Sequence, residues 1–126
     1  MPREKWMSLL AALAALAGAA GVIEAAYAAH GSPDPLLQTS SHFLVLHAAA
    51  VIAIAGFARA AANTRLMLLA GALLMVGTIV FCSDLSMRAL TGAKLFSFAA
   101  PIGGTTMIAG WLCTAIAALW SLRKSP

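Results

Sequence analysis

The chain has 126 residues, 62% of them apolar and only 10% charged, with a net charge of +4 at neutral pH and a mean hydropathy of +0.92. Soluble domains lie nearer half apolar and a quarter charged, and one small core has no room for so much apolar surface; a soluble globular fold is excluded and lipid must cover the remainder. The positive balance does not indicate nucleic acid, because the basic residues form no continuous patch with interleaved aromatics.

At this length a single domain, 1–126, is expected, and each spanning helix needs about 20 mostly apolar residues. The first candidate covers about 6–29, behind Arg3, Glu4 and Lys5. His30-Gly31-Ser32-Pro33-Asp34-Pro35 then breaks it, since two prolines cannot continue a helix. Thr39, Ser40 and Ser41 are suitable N-caps, so the second helix is expected at about 41–62. Arg59, Asn63 and Arg65 mark the next turn. The third helix covers about 66–90 and carries Asp84 and Arg88 in its last two turns. Thr91-Gly92-Ala93-Lys94 ends it, and the short apolar stretch 95–100 reads as an interfacial segment. Pro101 suits the first turn of a helix, which gives a fourth at about 101–122, closed by Arg123 and Lys124. The expected fold is all-α: an integral membrane bundle of four transmembrane helices.

Loop charges set the orientation. Arg3, Lys5, Arg59, Arg65, Arg123 and Lys124 share one side, and only Arg88 and Lys94 fall on the other. Both termini are therefore expected in the cytoplasm of a bacterial inner membrane, with Trp6 and Trp120 at the cytoplasmic interface that tryptophan favours. Residues 1–28 also carry a basic start, an apolar centre and Ala26-Tyr27-Ala28, the small-x-small pattern of a cleaved secretory signal. The long apolar stretch and Glu24 argue against cleavage, which would leave three helices in the same orientation. Ala17, Gly21, Ala25 and Ala29 recur every four residues, a small-residue stripe that lets helices approach closely, within the bundle, in a homo-oligomer or against another membrane protein.

Ionisable groups within a membrane cost about 2.5–3.5 kcal/mol at mid-helix, so each needs a reason. The hairpin topology places Glu24, His30, His42, His47, Asp84 and Arg88 together in or near the extracytoplasmic third. Asp84 and Arg88, four apart with the acid first, pair on one helix face; beyond that ion pair, Arg88 is a candidate binder of an anionic group with Asp84 positioning it. Glu24 has no partner three or four residues away on its own helix. It must meet something across the bundle, with Arg88 and His47 the natural partners, reach the interface, or hold a proton.

Three histidines raise the question of a metal, but His42 and His47 are five apart, about 140° around a helix, and share no face cleanly. No H-x-x-x-H pattern is present, Cys82 and Cys113 lie inside apolar runs without metal or disulfide spacing, and no metal or other cofactor is expected. Gly103-Gly104 before Thr105-Thr106 lacks the lysine of a phosphate loop. With no nucleophile pattern either, the chain does not read as an enzyme.

Three segments resemble the family named "domain of unknown function 423". Ala26-Tyr27-Ala28-Ala29-His30-Gly31 is similar to the end of its first helix. Phe81-Cys82-Ser83-Asp84-Leu85 through Ala89-Leu90-Thr91-Gly92 is similar to its third-helix motif. Pro101-Ile102-Gly103-Gly104, followed by Gly110-Trp111, matches its fourth-helix signature, and Gln38-Thr39 and His47 align with polar positions of its second helix. The resemblance covers nearly the whole chain and implies a small four-helix membrane protein with a retained first helix and no established activity. Glu24, Asp84 and Arg88 stand where that family carries apolar or small uncharged residues, and His42 replaces a different polar type, which marks a specialised branch.

Three readings follow. The leading one is a non-enzymatic structural or interaction subunit whose outer-side polar cluster anchors a lipid headgroup or a partner protein, with membrane lipids as standing partners. The alternative is a small proton-coupled transporter or permeation unit, with Glu24 and His47 titrating and Arg88 as counter-charge; a transport path, however, requires polar groups through the full bilayer depth. The third, a metalloprotein of the outer leaflet, predicts stoichiometric metal after purification.

Overall fold

The computed structural model describes residues 2–31 and 33–124; Ser32, in the expected break after the first helix, lies outside the described residues. Four helices follow in order, α1 (Arg3–His30), α2 (Pro35–Phe57), α3 (Thr64–Thr91) and α4 (Ala99–Lys124), with no strand among the described residues. All four are long and apolar enough to cross a membrane. Even α2, the shortest at 23 residues, extends about 34 Å, more than the ~30 Å hydrocarbon core. Large apolar side chains such as Leu16, Ile23, Ile108 and Leu119 face outward, as lipid requires. The chain is an all-α integral membrane bundle.

The helix ends explain where the boundaries differ from expectation. α2 starts at Pro35, not near 41, because the Asp34 side chain accepts from Leu36 N at 2.7 Å and proline is tolerated where the helix needs no N–H donor. Thr39, Ser40 and Ser41 therefore lie inside α2, and Ser40 and Ser41 are buried. At the other end α2 stops at Phe57 rather than 62. The chain turns there, and Ala62 N donates to Ser121 Oγ of α4 at 3.0 Å. The Asn63 side chain then caps α3 by accepting from Leu66 N at 3.0 Å. Gly92, in the left-handed region at φ +76°, closes α3 by donating to Arg88 O, a conformation glycine adopts without a Cβ penalty. Phe98, at φ +65°, ends the short connection to α4, whose first turn holds Pro101.

α2 and α3 form the centre; α1 packs on α2 and lightly on α3, and α4 packs on α3. Buried residues of α1 recur at Met7, Ala14, Gly21 and Ala28, the seven-residue repeat of coiled-coil-like packing. Of the stripe read from the sequence only Gly21 is buried; Ala25 and Ala29 are exposed. Glycines set the spacing of both hairpins. A Cβ on Gly21 would lie 2.8 Å from Leu44 Cβ. On the α3–α4 side a Cβ on Gly77 would lie 2.7 Å from Met107 N, and one on Gly103 would lie 2.6 Å from Phe81 N. The backbones of α3 and α4 are thus in direct contact, as small residues permit where lipid supplies no hydrophobic drive.

Candidate functional site

Antiparallel hairpins bring the end of α1, the start of α2, the end of α3 and the start of α4 to one side. Glu24, Ser40, Asp84 and Ser86 stand five to seven residues inside their helix ends, about 8–10 Å deep. His47 is deeper. With α2 starting at Pro35 it lies twelve residues in, about 18 Å, at mid-helix rather than in the outer third as the later expected start implied.

Within the outer layer the polar residues separate into two groups, because 100° per residue turns Asp84 and Ser86 about 200° apart on α3. On the face toward α1 and α2, Ser86 Oγ donates to Glu24 Oε1. Ser86 Oγ also lies 3.1 Å from Ser40 Oγ. Ser40 Oγ in turn is 3.4 Å from the Cys82 carbonyl, and Cys82 Sγ donates to Ser40 O at 3.5 Å. One chain of hydroxyls therefore ties three helices together and ends at a backbone carbonyl. Glu24 Oε2 is buried and has no hydrogen-bond partner among the described residues. The partners expected for Glu24 from sequence, Arg88 and His47, do not bond to it; Arg88 shares the face of Asp84, and His47 turns toward α4.

On the opposite face, Asp84 is fully buried and its Oδ2 lies 2.9 Å from Arg88 Nε, with Arg88 about a third exposed. The two atoms are close enough for an ion pair but are not aligned as a hydrogen bond. Asp84 Oδ1 accepts from Leu95 N at 2.9 Å. The acid thus holds Arg88 on one side and pins the α3–α4 connection on the other. That connection exposes Lys94, Leu95, Phe96 and Phe98, a mixture of cationic and apolar side chains suited to a membrane interface.

His47 belongs to a third assembly. Its Nδ1 lies 2.9 Å from Phe43 O, and its Nε2 accepts from Trp111 Nε1 at 3.2 Å. A carbonyl only accepts and an indole N–H only donates, so the imidazole is held as the neutral tautomer with hydrogen on Nδ1. The ring stacks on Phe43 at 5.4 Å, and Phe43 in turn contacts Phe81. Both ring nitrogens are thus taken up by protein groups. His30 and His42 are exposed; His42 lines a shallow groove between α1 and α2 with Gln38 and Ser41. Among the described residues no three His, Cys, Asp or Glu side chains are grouped to hold a metal.

Ser40, Ser86 and Trp111 carry bonds that sequence reasoning did not assign. Trp111 had a signal, its place after Gly110 in the fourth-helix motif, but no partner. The serines had none, since an isolated hydroxyl in an apolar helix normally bonds its own backbone, as Thr78 Oγ1 does to Leu74 O at 2.6 Å.

The family described as "Protein of unknown function (DUF423)" matches residues 24–104. Curated relatives include the "UPF0382 inner membrane protein YgdD" of Escherichia coli (strain K12) and the protein of the same name from Shigella flexneri, each 35% identical over 51 residues. That match takes in 40% of this chain, which spans only 39% of the length of these relatives. No solved structure matches the chain.

Proposed function

The chain belongs to the DUF423 family of proteins of unknown function, and from that premise we propose that it is a structural or interaction subunit rather than an enzyme. It resides in the bacterial inner membrane with both termini cytoplasmic, and its extracytoplasmic side holds an anionic lipid headgroup through Arg88. An acidic face of a partner protein would engage the same group. Relatives named as inner membrane proteins and the concentration of basic residues at the end opposite Arg88 support the placement.

The observation that carries the reading is the state of Arg88. Its Nε is engaged by Asp84, while its side chain as a whole is about a third exposed near the outer end of α3, and the exposed Lys94 follows six residues later in the chain. With Nε held by the buried carboxylate, the terminal nitrogens are the groups that would take a phosphate, which a guanidinium recognises bidentately.

A second reading, proton-coupled permeation, draws on the unpartnered Oε2 of Glu24 and on the hydroxyl chain beyond it. That chain can reverse its donors when Glu24 gains a proton. It stops at the Cys82 carbonyl, however, and the neutral, doubly bonded His47 does not extend it.

Native mass spectrometry of the detergent-solubilised protein with added phosphatidylglycerol tests the leading reading. The Asp84→Asn/Arg88→Gln variant removes both charges of the pair while keeping an oxygen for Leu95 N. Loss of a charge-assisted hydrogen bond predicts at least about tenfold weaker binding at one lipid site. Unchanged binding at every site would overturn the assignment.

A further inference from the structure

α1 and α3 pack only lightly on each other, and along them lie two adjoining grooves of about 650 Å³ and 400 Å³ that meet at Leu13 and Ile79. The larger runs from the basic end of the bundle. Arg3 of α1 and Arg65 of α3 stand at its polar rim, and Leu9, Leu13, Val76 and Ile79 line its body. Those four side chains are between 41% and 56% exposed, so the groove opens sideways to the surrounding medium rather than enclosing a cavity.

Three observations identify its occupant. Neither Arg3 nor Arg65 makes an ion pair or a side-chain hydrogen bond among the described residues, so two cations flank one rim with no counter-charge from those residues. From the arginines inward the groove runs about 15 Å along α1 (Arg3 to Leu13) and about 21 Å along α3 (Arg65 to Ile79), comparable to one leaflet with its headgroups in a bilayer ~40–45 Å thick. Its volume lies within the ~300–1,000 Å³ of small-molecule sites, and its body is apolar and laterally open, which suits a chain entering from the bilayer and not a free anion from water.

We propose that the α1–α3 groove is a binding site for one anionic phospholipid of the leaflet on the basic side. Its phosphate lies between Arg3 and Arg65, and an acyl chain lies along Leu9, Leu13, Val76 and Ile79. Glu4, the acid nearest Arg3 in sequence, does not line the groove and leaves the rim cationic. The site lies at the opposite end of the bundle from Arg88, and it stands or falls independently of the outer site.

The test titrates phosphatidylglycerol and phosphatidylethanolamine onto the full chain in detergent, read by native mass spectrometry. Arg3→Gln/Arg65→Gln is expected to weaken phosphatidylglycerol binding at one site by about fivefold per arginine, while Arg123→Gln/Lys124→Gln, which removes equal charge from the same side, leaves that site unchanged. Leu13→Trp fills the body of the groove, keeps both arginines, and is expected to abolish binding there. Equal losses in the two double variants would reduce the effect to general surface charge. Undiminished binding in Leu13→Trp, or a second protein copy seated in the groove in place of lipid, would overturn the proposal.

Discussion

Arg88→Ala is expected to destabilise the bundle by about 3 kcal/mol, and Asp84→Asn by clearly less. The asymmetry follows from burial. Asp84 is wholly buried, whereas Arg88 is about a third exposed. Removing the arginine strands a carboxylate inside the bundle, and breaking such a pair costs about 3–5 kcal/mol; partial exposure of the pair places the loss at the low end. Removing the acid's charge instead leaves an arginine able to extend its head toward water along an apolar stem. The amide of Asp84→Asn still offers an oxygen to Leu95 N, so the α3–α4 connection stays pinned. Combining Asp84→Asn with Arg88→Ala is expected to recover most of the loss. Reversible unfolding in mixed micelles measures all three, and a larger loss for Asp84→Asn than for Arg88→Ala would show that the pinned connection, not the charge balance, dominates.

Gly103→Val produces the second large effect, at or above the ~3 kcal/mol upper end of ordinary overpacking. A Cβ at this position would lie 2.6 Å from Phe81 N and 2.9 Å from Gly77 O. Both are backbone atoms, so no rotamer change relieves the contact and α4 must move away from α3. The shift also pulls Trp111 from His47 Nε2, leaving a buried acceptor unpaired. Gly104, the next residue, is a built-in control, because a Cβ there meets nothing within 4 Å. Gly104→Ala is expected to be neutral or to stabilise by about 0.5–1 kcal/mol, the usual gain for alanine over glycine within a helix. Thermal unfolding in detergent separates the two; equal effects would contradict direct backbone contact at Gly103.

The four helices were legible because lipid imposes length and apolarity on each span independently of its neighbours, and the polar breaks fall where prolines, glycines and charges accumulate. The boundary of α2 was not, since Asp34, Thr39, Ser40 and Ser41 are all competent caps and only tertiary packing shows that Ser40 faces Ser86 and Cys82. That displacement carried His47 from the outer third to mid-helix. The Asp84–Arg88 pair followed from spacing alone, because i, i+4 neighbours meet on any helix. The partner of Glu24 did not. It depends on the rotation of α3 about its axis, which places Ser86 toward α1 and Arg88 on the opposite face, and the period of the apolar residues is too uniform here to reveal that rotation. The role of Asp84 in holding Leu95 N was equally hidden, since it joins a helix to a loop eleven residues onward.

Proton flux into proteoliposomes carrying an entrapped pH dye, with the wild type set against Glu24→Gln under an imposed membrane potential, tests most directly whether the outer polar groups bind or conduct. A binding subunit whose hydroxyl chain ends at the Cys82 carbonyl gives wild-type leakage equal to that of protein-free liposomes, unchanged by Glu24→Gln. Wild-type flux well above that baseline, abolished by Glu24→Gln, would contradict the binding reading and establish permeation through α1.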